Sequence, residues 1–191
     1  MHRLPKRFWV LTSFVFALLF AVATPRTAEA VDFYAEGAIS GGASTWEKDP
    51  NIGGQLHLGF EFLDIISVDT LGRIAYAAVD ERLLELLGIG VKAAIPIQPF
   101  TPFIRATAIH QHEMPVAVMG NDTFGHVMGV GDGIRHRFGV EGALGASITF
   151  AKYKKSLFMA EVEGYVDAFP DERGPVVYGG ATLGFGIQVG L

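Results

Sequence analysis

Apolar and polar residues alternate along most of this chain, and the alternation is cleanest at its end. Val177, Gly179, Ala181, Leu183, Phe185, Ile187, Val189 and Leu191 form one series, and Tyr178, Gly180, Thr182, Gly184, Gly186, Gln188 and Gly190 form the other. A period of two puts the two series on opposite faces of a strand. The first face is apolar enough to meet hydrocarbon. The second is small or polar enough to face a packed interior, and glycine makes a poor solvated face.

The same periodicity predicts roughly eight strands. Val31 to Ala43 carries Phe33, Ala35, Gly37 and Ile39 against Asp32, Tyr34, Glu36 and Ser40. Ile52 to Phe62 sets Leu56, Leu58 and Phe60 against Gln55, His57 and Glu61. Ile66 to Val79 sets Val68, Ile74 and Tyr76 against Ser67, Asp69 and Arg73. Gly88 to Ile97 turns Ile89, Val91, Ala93 and Ile95 one way and Lys92 the other. Phe103 to Gln111 is the least regular. Ile134 to Phe150 opposes Phe138, Val140, Leu144 and Ile148 to Arg137, Glu141 and Ser147. Ser156 to Ala168 opposes Phe158, Val162 and Val166 to Glu161, Glu163, Tyr165 and Asp167. The eighth strand is the terminal one.

Connections alternate between compact and long. Leu63-Asp64, the proline-marked segment around Pro96, Pro99 and Pro102, and the basic run Ala151 to Lys155 are compact turns. Segments 44–51, 80–87, 112–133 and 169–175 are longer and mostly polar. Asp80 to Leu87 breaks the alternation and reads as a short helical turn. Within 112–133, Asp132-Gly133 is a hairpin signal, and Thr123 to Gly131 reads as a strand or strand extension. An even strand number with short turns at one end and long loops at the other is the signature of an up-and-down antiparallel transmembrane β-barrel. Ten strands is the alternative count. A soluble barrel with its apolar face inward around a ligand is an inversion that alternation alone leaves open. Phe62, Phe100, Phe150 and Tyr153 near the short turns, with Trp46 and Phe169 near the long loops, are expected as aromatic girdles.

The first thirty residues change the picture. His2, Arg3, Lys6 and Arg7 precede an apolar run from Phe8 to Ala23, and Ala28-Glu29-Ala30 is an A-x-A cleavage pattern. Residues 1–30 are therefore expected to be a secretory signal peptide, and residues 31–191 the barrel domain. The chain carries 15 Lys+Arg and 20 Asp+Glu for a net charge of −5. Four of those bases and one acid fall in the first thirty residues, which leaves −8 on the remainder. That balance argues against a nucleic-acid partner. There is no cysteine, so disulfides, thiolate metal sites and cysteine acylation are excluded. Mean hydropathy is high at +0.33, yet residues 31–191 hold no apolar run of the roughly 18 residues a membrane helix needs.

The leader, the alternating strands, the loop asymmetry and the terminal strand together resemble the OmpA/OmpX-like eight-stranded barrels of Gram-negative outer membranes. The fragment Asp122-Thr123-Phe124-Gly125-His126, running to Gly129 and Gly131, is similar to glycine-rich strand openings of that superfamily. Leu191 departs from the Phe or Trp with which such barrels usually end. The resemblance implies an outer-membrane location and contact with membrane lipid, lipopolysaccharide and the barrel-assembly machinery. It also implies a surface partner reached through loops 44–51 and 112–133.

The inward series hold the dense charge. An eight-stranded interior is just wide enough for side chains, and an unpaired buried charge is costly. Glu36, Glu61, Asp69, Arg73, Lys92, Arg105, Glu141, Glu161 and Glu163 are therefore expected to form a lumen charge network, with Arg137 and Asp167 on the same faces. Glu161 and Glu163 point the same way and would suit acid–base work, but ion pairing explains them more simply. His110 and His112 share a face near His126 and His136 and form a candidate metal pair. The spacing matches no tight motif, so neither a metal nor another cofactor is expected. Lipid A palmitoyltransferases and deacylases use barrels of this size, but the deacylase His-x-Ser pattern does not occur. The expected role is structural or surface-interactive and not enzymatic. The alternatives are a lipid A-modifying enzyme and a narrow pore.

Overall fold

Eight antiparallel strands, each bonded to its chain neighbours, close into a barrel in which the last strand pairs with the first. The computed structural model describes residues 31–45, 48–79, 81–97, 99–118, 123–127, 129–130, 133–171 and 175–190. The expected leader, Trp46, Asp132 of the hairpin signal and the terminal Leu191 lie outside the described residues. The strands are β1 (Val31–Ser44), β2 (Pro50–Phe62), β3 (Ile66–Ala77), β4 (Arg82–Ala94), β5 (Phe100–Pro115), β6 (Arg135–Tyr153), β7 (Ser156–Phe169) and β8 (Val176–Gly190). The count is eight, not ten. Closure leaves no sheet edge with unpaired backbone groups.

The alternation sorts as the sequence implies. Ile39, Leu56, Ile74, Ile89, Ile104, Leu144, Val162 and Leu183 are exposed on the outside, and one comes from each strand. Glu36, His57, Asp69, Lys92, Arg105, Glu141, Glu163 and Thr182 are buried on the inside, again one from each strand. The register is continuous except at a bulge between Thr149 and Ala151, where β6 carries one residue more than β7. The β2–β3 turn is tight because Leu63 and Asp64 both take left-handed backbone conformations (φ 58° each), the geometry of a hairpin turn that follows strand twist. The inner face of β8 needs its glycines: a Cβ at Gly180 would lie 2.5 Å from the Tyr165 ring and from the Gly41 carbonyl.

Three expectations are corrected. Residues Arg82–Leu87 are strand and not a helical turn. Arg82, Leu84 and Leu86 point in, and Leu83, Glu85 and Leu87 point out. Leucines on both faces hide the period, because the interior here is apolar and Glu85 is covered on the outside. The 112–133 segment does not form a hairpin in its described part. β5 runs on to Pro115, Val116–Val118 is a 3-10 turn and Thr123–Val127 is a short helix, so Thr123 opens no strand. Phe169 is no girdle residue: it is fully buried inside the barrel, edge-on to Tyr178 at 5.9 Å. Phe62, Phe100, Phe150 and Tyr153 do face outward near the short turns.

The interior is not polar throughout. Leu71, Ala75, Ala77, Leu84, Leu86 and Ile109 form an apolar wall on β3 to β5, closed at the long-loop end by Phe169, Val176 and Tyr178. Charged residues interrupt that wall on the same strands, with Arg73 between Leu71 and Ala75 on β3 and Arg105 on β5.

Candidate functional site

Two guanidiniums organise the interior. Arg105, on β5, is buried and pairs with Glu163 at hydrogen-bond distance through Nη1. Its Nε lies 3.2 Å from Asp69 Oδ2, and its Nη2 lies 3.6 Å from Glu161 and 3.8 Å from Glu36. His57 Nε2 stands 3.1 Å from Nη1, and the Tyr34 hydroxyl donates to Asp69. Side chains from four other strands thus converge on Arg105. The arrangement follows from register: Asp69, Arg105 and Glu163 occupy inward positions at similar height, and arginine alone offers five donors in a fixed fork.

Arg73, on β3, is the second hub. It donates to Glu141 Oε2 at 2.5 Å, to Asp167 Oδ2 at 2.8 Å and to Gln55 Oε1 at 3.1 Å. Its guanidinium carbon lies 3.8 Å from the Tyr165 ring centroid. Thr107 Oγ1 also donates to Glu141, at 3.4 Å. Toward the long loops, Arg82 pairs with Asp49 at 2.8 Å and with Glu113. Arg137 reaches Glu113 at 3.2 Å and the Tyr178 hydroxyl at 3.4 Å.

Toward the short turns the interior opens into a cavity of about 390 Å³. Lys92 and Glu61 lie on its wall. The Lys92 ammonium sits 4.4 Å from the Tyr34 ring centroid and 5.3 Å from that of Phe103. Glu61 accepts from Ser67 at 3.2 Å and from Gln188 at 2.9 Å, and Gln188 also donates to Asp32 at 2.7 Å. The nine residues expected in a lumen network are thus all inside. Seven gather on Arg105 or Arg73, while Glu61 and Lys92 sit one layer below. Sequence reasoning missed Tyr34, Gln55, His57, Tyr165 and Gln188 as members. Their inward alternation was readable, but their contacts cross the barrel between strands distant in sequence.

Unlike His57, the histidines of β5 and β6 do not join this interior group. His110 and His112 lie on the outer face of β5 and His136 on the outer face of β6; His110 is in register with Leu87 and Phe138, the last apolar row, and His112 and His136 lie one row beyond it. Glu85, outward on β4, is directly opposite His112 in register.

A scan of protein-family models and a search of curated proteins each return no match. Solved structures do match. The chain is similar to Neisserial surface protein A (TM-score 0.55, 12% identity), with 84% of this chain and 96% of that one covered. It is similar to OprG from Pseudomonas aeruginosa (TM-score 0.51, 11% identity, 84% and 96% covered), an outer membrane protein. It is also similar to Ail, the attachment invasion locus protein of Yersinia pestis, in a complex with the heparin analogue sucrose octasulfate (TM-score 0.50, 13% identity, 83% and 98% covered). At these identities the likeness is one of fold: the closed eight-stranded barrel of small outer-membrane proteins.

Proposed function

We propose that this chain is an integral outer-membrane barrel with a plugged polar lumen and a non-catalytic role, structural or surface-interactive, exercised through its long loops. The observation that carries the reading is the sorting of side chains around a closed barrel. Every strand presents apolar residues outward at mid-height and polar or charged residues inward. Water would not reward an exterior built of Ile39, Leu56, Ile89, Ile104, Leu144 and Leu183, whereas hydrocarbon does. The expected leader fits export, and the short turns then face the periplasm while loops 44–51 and 112–133 face outward. Lipid and lipopolysaccharide surround the band, and the barrel-assembly machinery inserts it.

The plug reading rests on the two arginine hubs and the apolar wall. Arg105 spans from β5 to β7, and Arg73 from β3 to β6 and β7. Leu71, Leu86 and Ile109 are buried on the same interior. Glu161 and Glu163, the pair that would suit acid–base chemistry, are both engaged by Arg105 and nearly fully buried, which favours the ion-pair role. Planar-bilayer recording of the purified barrel tests the plug. No stepwise conductance is expected from the wild type. Regular single-channel steps that vanish when Arg105 is replaced by a bulky apolar residue would overturn it in favour of a pore.

A further inference from the structure

Beyond any loop partner, we propose that Glu85, His110, His112 and His136 form a binding site for a divalent transition-metal ion, with Zn²⁺ the reference ion, on the outer wall at the long-loop rim. The strands set it up. His112 pairs in register with Glu85 on one side and His136 on the other, and His110 lies two residues below His112 on the same face. Three imidazoles and a carboxylate thus share one patch across β4, β5 and β6. His110 Nε2 and His136 Nδ1 are 3.3 Å apart. One nitrogen from each of the three rings fits within 4.8 Å of the others. Zn–N bonds of 2.0–2.1 Å in a tetrahedron put ligand nitrogens about 3.3 Å apart, so one edge is already at that length. The others close by ring rotation, which is soft about the bond joining ring and Cβ.

The patch is also roofed. Gly129 takes φ +71° and brings its backbone against His112 so closely that a Cβ there would run into the ring. His126 is buried on the covering helix, within Coulombic range of Glu85. Phe138 packs on His110 with centroids 4.2 Å apart. These contacts confine His112 and His110 to the patch. The Glu85 carboxylate lies 3.9 Å from His112 Nδ1, beyond hydrogen-bond length but near enough to complete the ligand set of an ion held there. Imidazole with carboxylate selects Zn²⁺, Cu²⁺ or Ni²⁺ over Ca²⁺ and Mg²⁺, which prefer oxygen.

The test uses the full barrel in detergent micelles, with heat-shifted gel mobility as proof of folding for each variant. Calorimetric titration with ZnCl₂ is expected to give one ion per chain. Glu85→Gln should weaken it by about 10–100-fold and His136→Ala by more, while both remain folded. Acidification should release the ion, because the imidazole ligands must be unprotonated to bind it. Cu²⁺ bound in place of Zn²⁺ should show nitrogen superhyperfine coupling that loses one nitrogen in His136→Ala. A folded wild type that takes up no ion overturns the proposal. So does a metal stoichiometry unchanged by the His110, His112 and His136 substitutions together, or binding of inorganic phosphate at low pH with no Zn²⁺ uptake at neutral pH. The result stands apart from the loop-partner reading, since it requires only the folded barrel.

Discussion

Arg105 touches Glu163, Asp69, Glu161, Glu36 and His57 in a space closed to solvent. Removing the cation deprives four buried carboxylates of the partner they share. Breaking a buried pair in this way costs about 3–5 kcal/mol. Arg105→Ala is therefore expected to fold less stably by that amount, read as a lower urea midpoint for the compact gel band. In Arg105→Met with Glu163→Gln the loss should be smaller than the sum of the two single variants, because these residues share one network. An additive result would mean that the pair is not coupled. At this scale the inward identity of Arg105 was legible from alternation with its neighbours. Its partners were not: Glu36 and Glu163 are separated from it by 69 and 58 residues, and periodicity carries no information about which height on one strand faces which height on another.

Elements were legible where their two faces differ, and illegible where both are apolar. β8 alternates cleanly because lipid-facing leucine and phenylalanine oppose glycine, threonine and glutamine. The start of β4 does not, because Leu84 and Leu86 join the inner apolar wall while Leu83 and Leu87 face outward. β5 reads irregularly for the opposite reason: His110, His112 and Met114 lie on the outer face, and His112 and Met114 are covered. The strand assignment of Arg82–Leu87 makes a direct prediction. Leu84 sits between Ala75 of β3 and Glu113 of β5, so Leu84→Pro removes a ladder donor from a central strand, where proline is not tolerated. The compact gel band should disappear, or require several-fold less urea to unfold. A variant that keeps wild-type resistance would place this segment outside the sheet.

For the whole molecule, the question is which solvent surrounds the barrel. Leu183 lies midway along β8, opposite Ile39 of β1, and both are exposed. In a bilayer, an arginine at that depth costs about 2–4 kcal/mol. Leu183→Arg should therefore lower the stability of the protein folded into lipid vesicles by that amount, measured by urea titration of tryptophan fluorescence. In a water-exposed barrel the same change would be neutral or would improve solubility, and that outcome would remove the membrane reading. The sequence by itself determined the class of fold: a strand's two faces are written two residues apart, and the compact and long connections follow from local turn chemistry. It also determined which charges go inside. Closure, register and height belong to the tertiary structure, because they arise from hydrogen bonds between strands and not within them. Only that register joins Arg105 to carboxylates on β1, β3 and β7, and only it carries His136 beside His112 across the β5–β6 ladder.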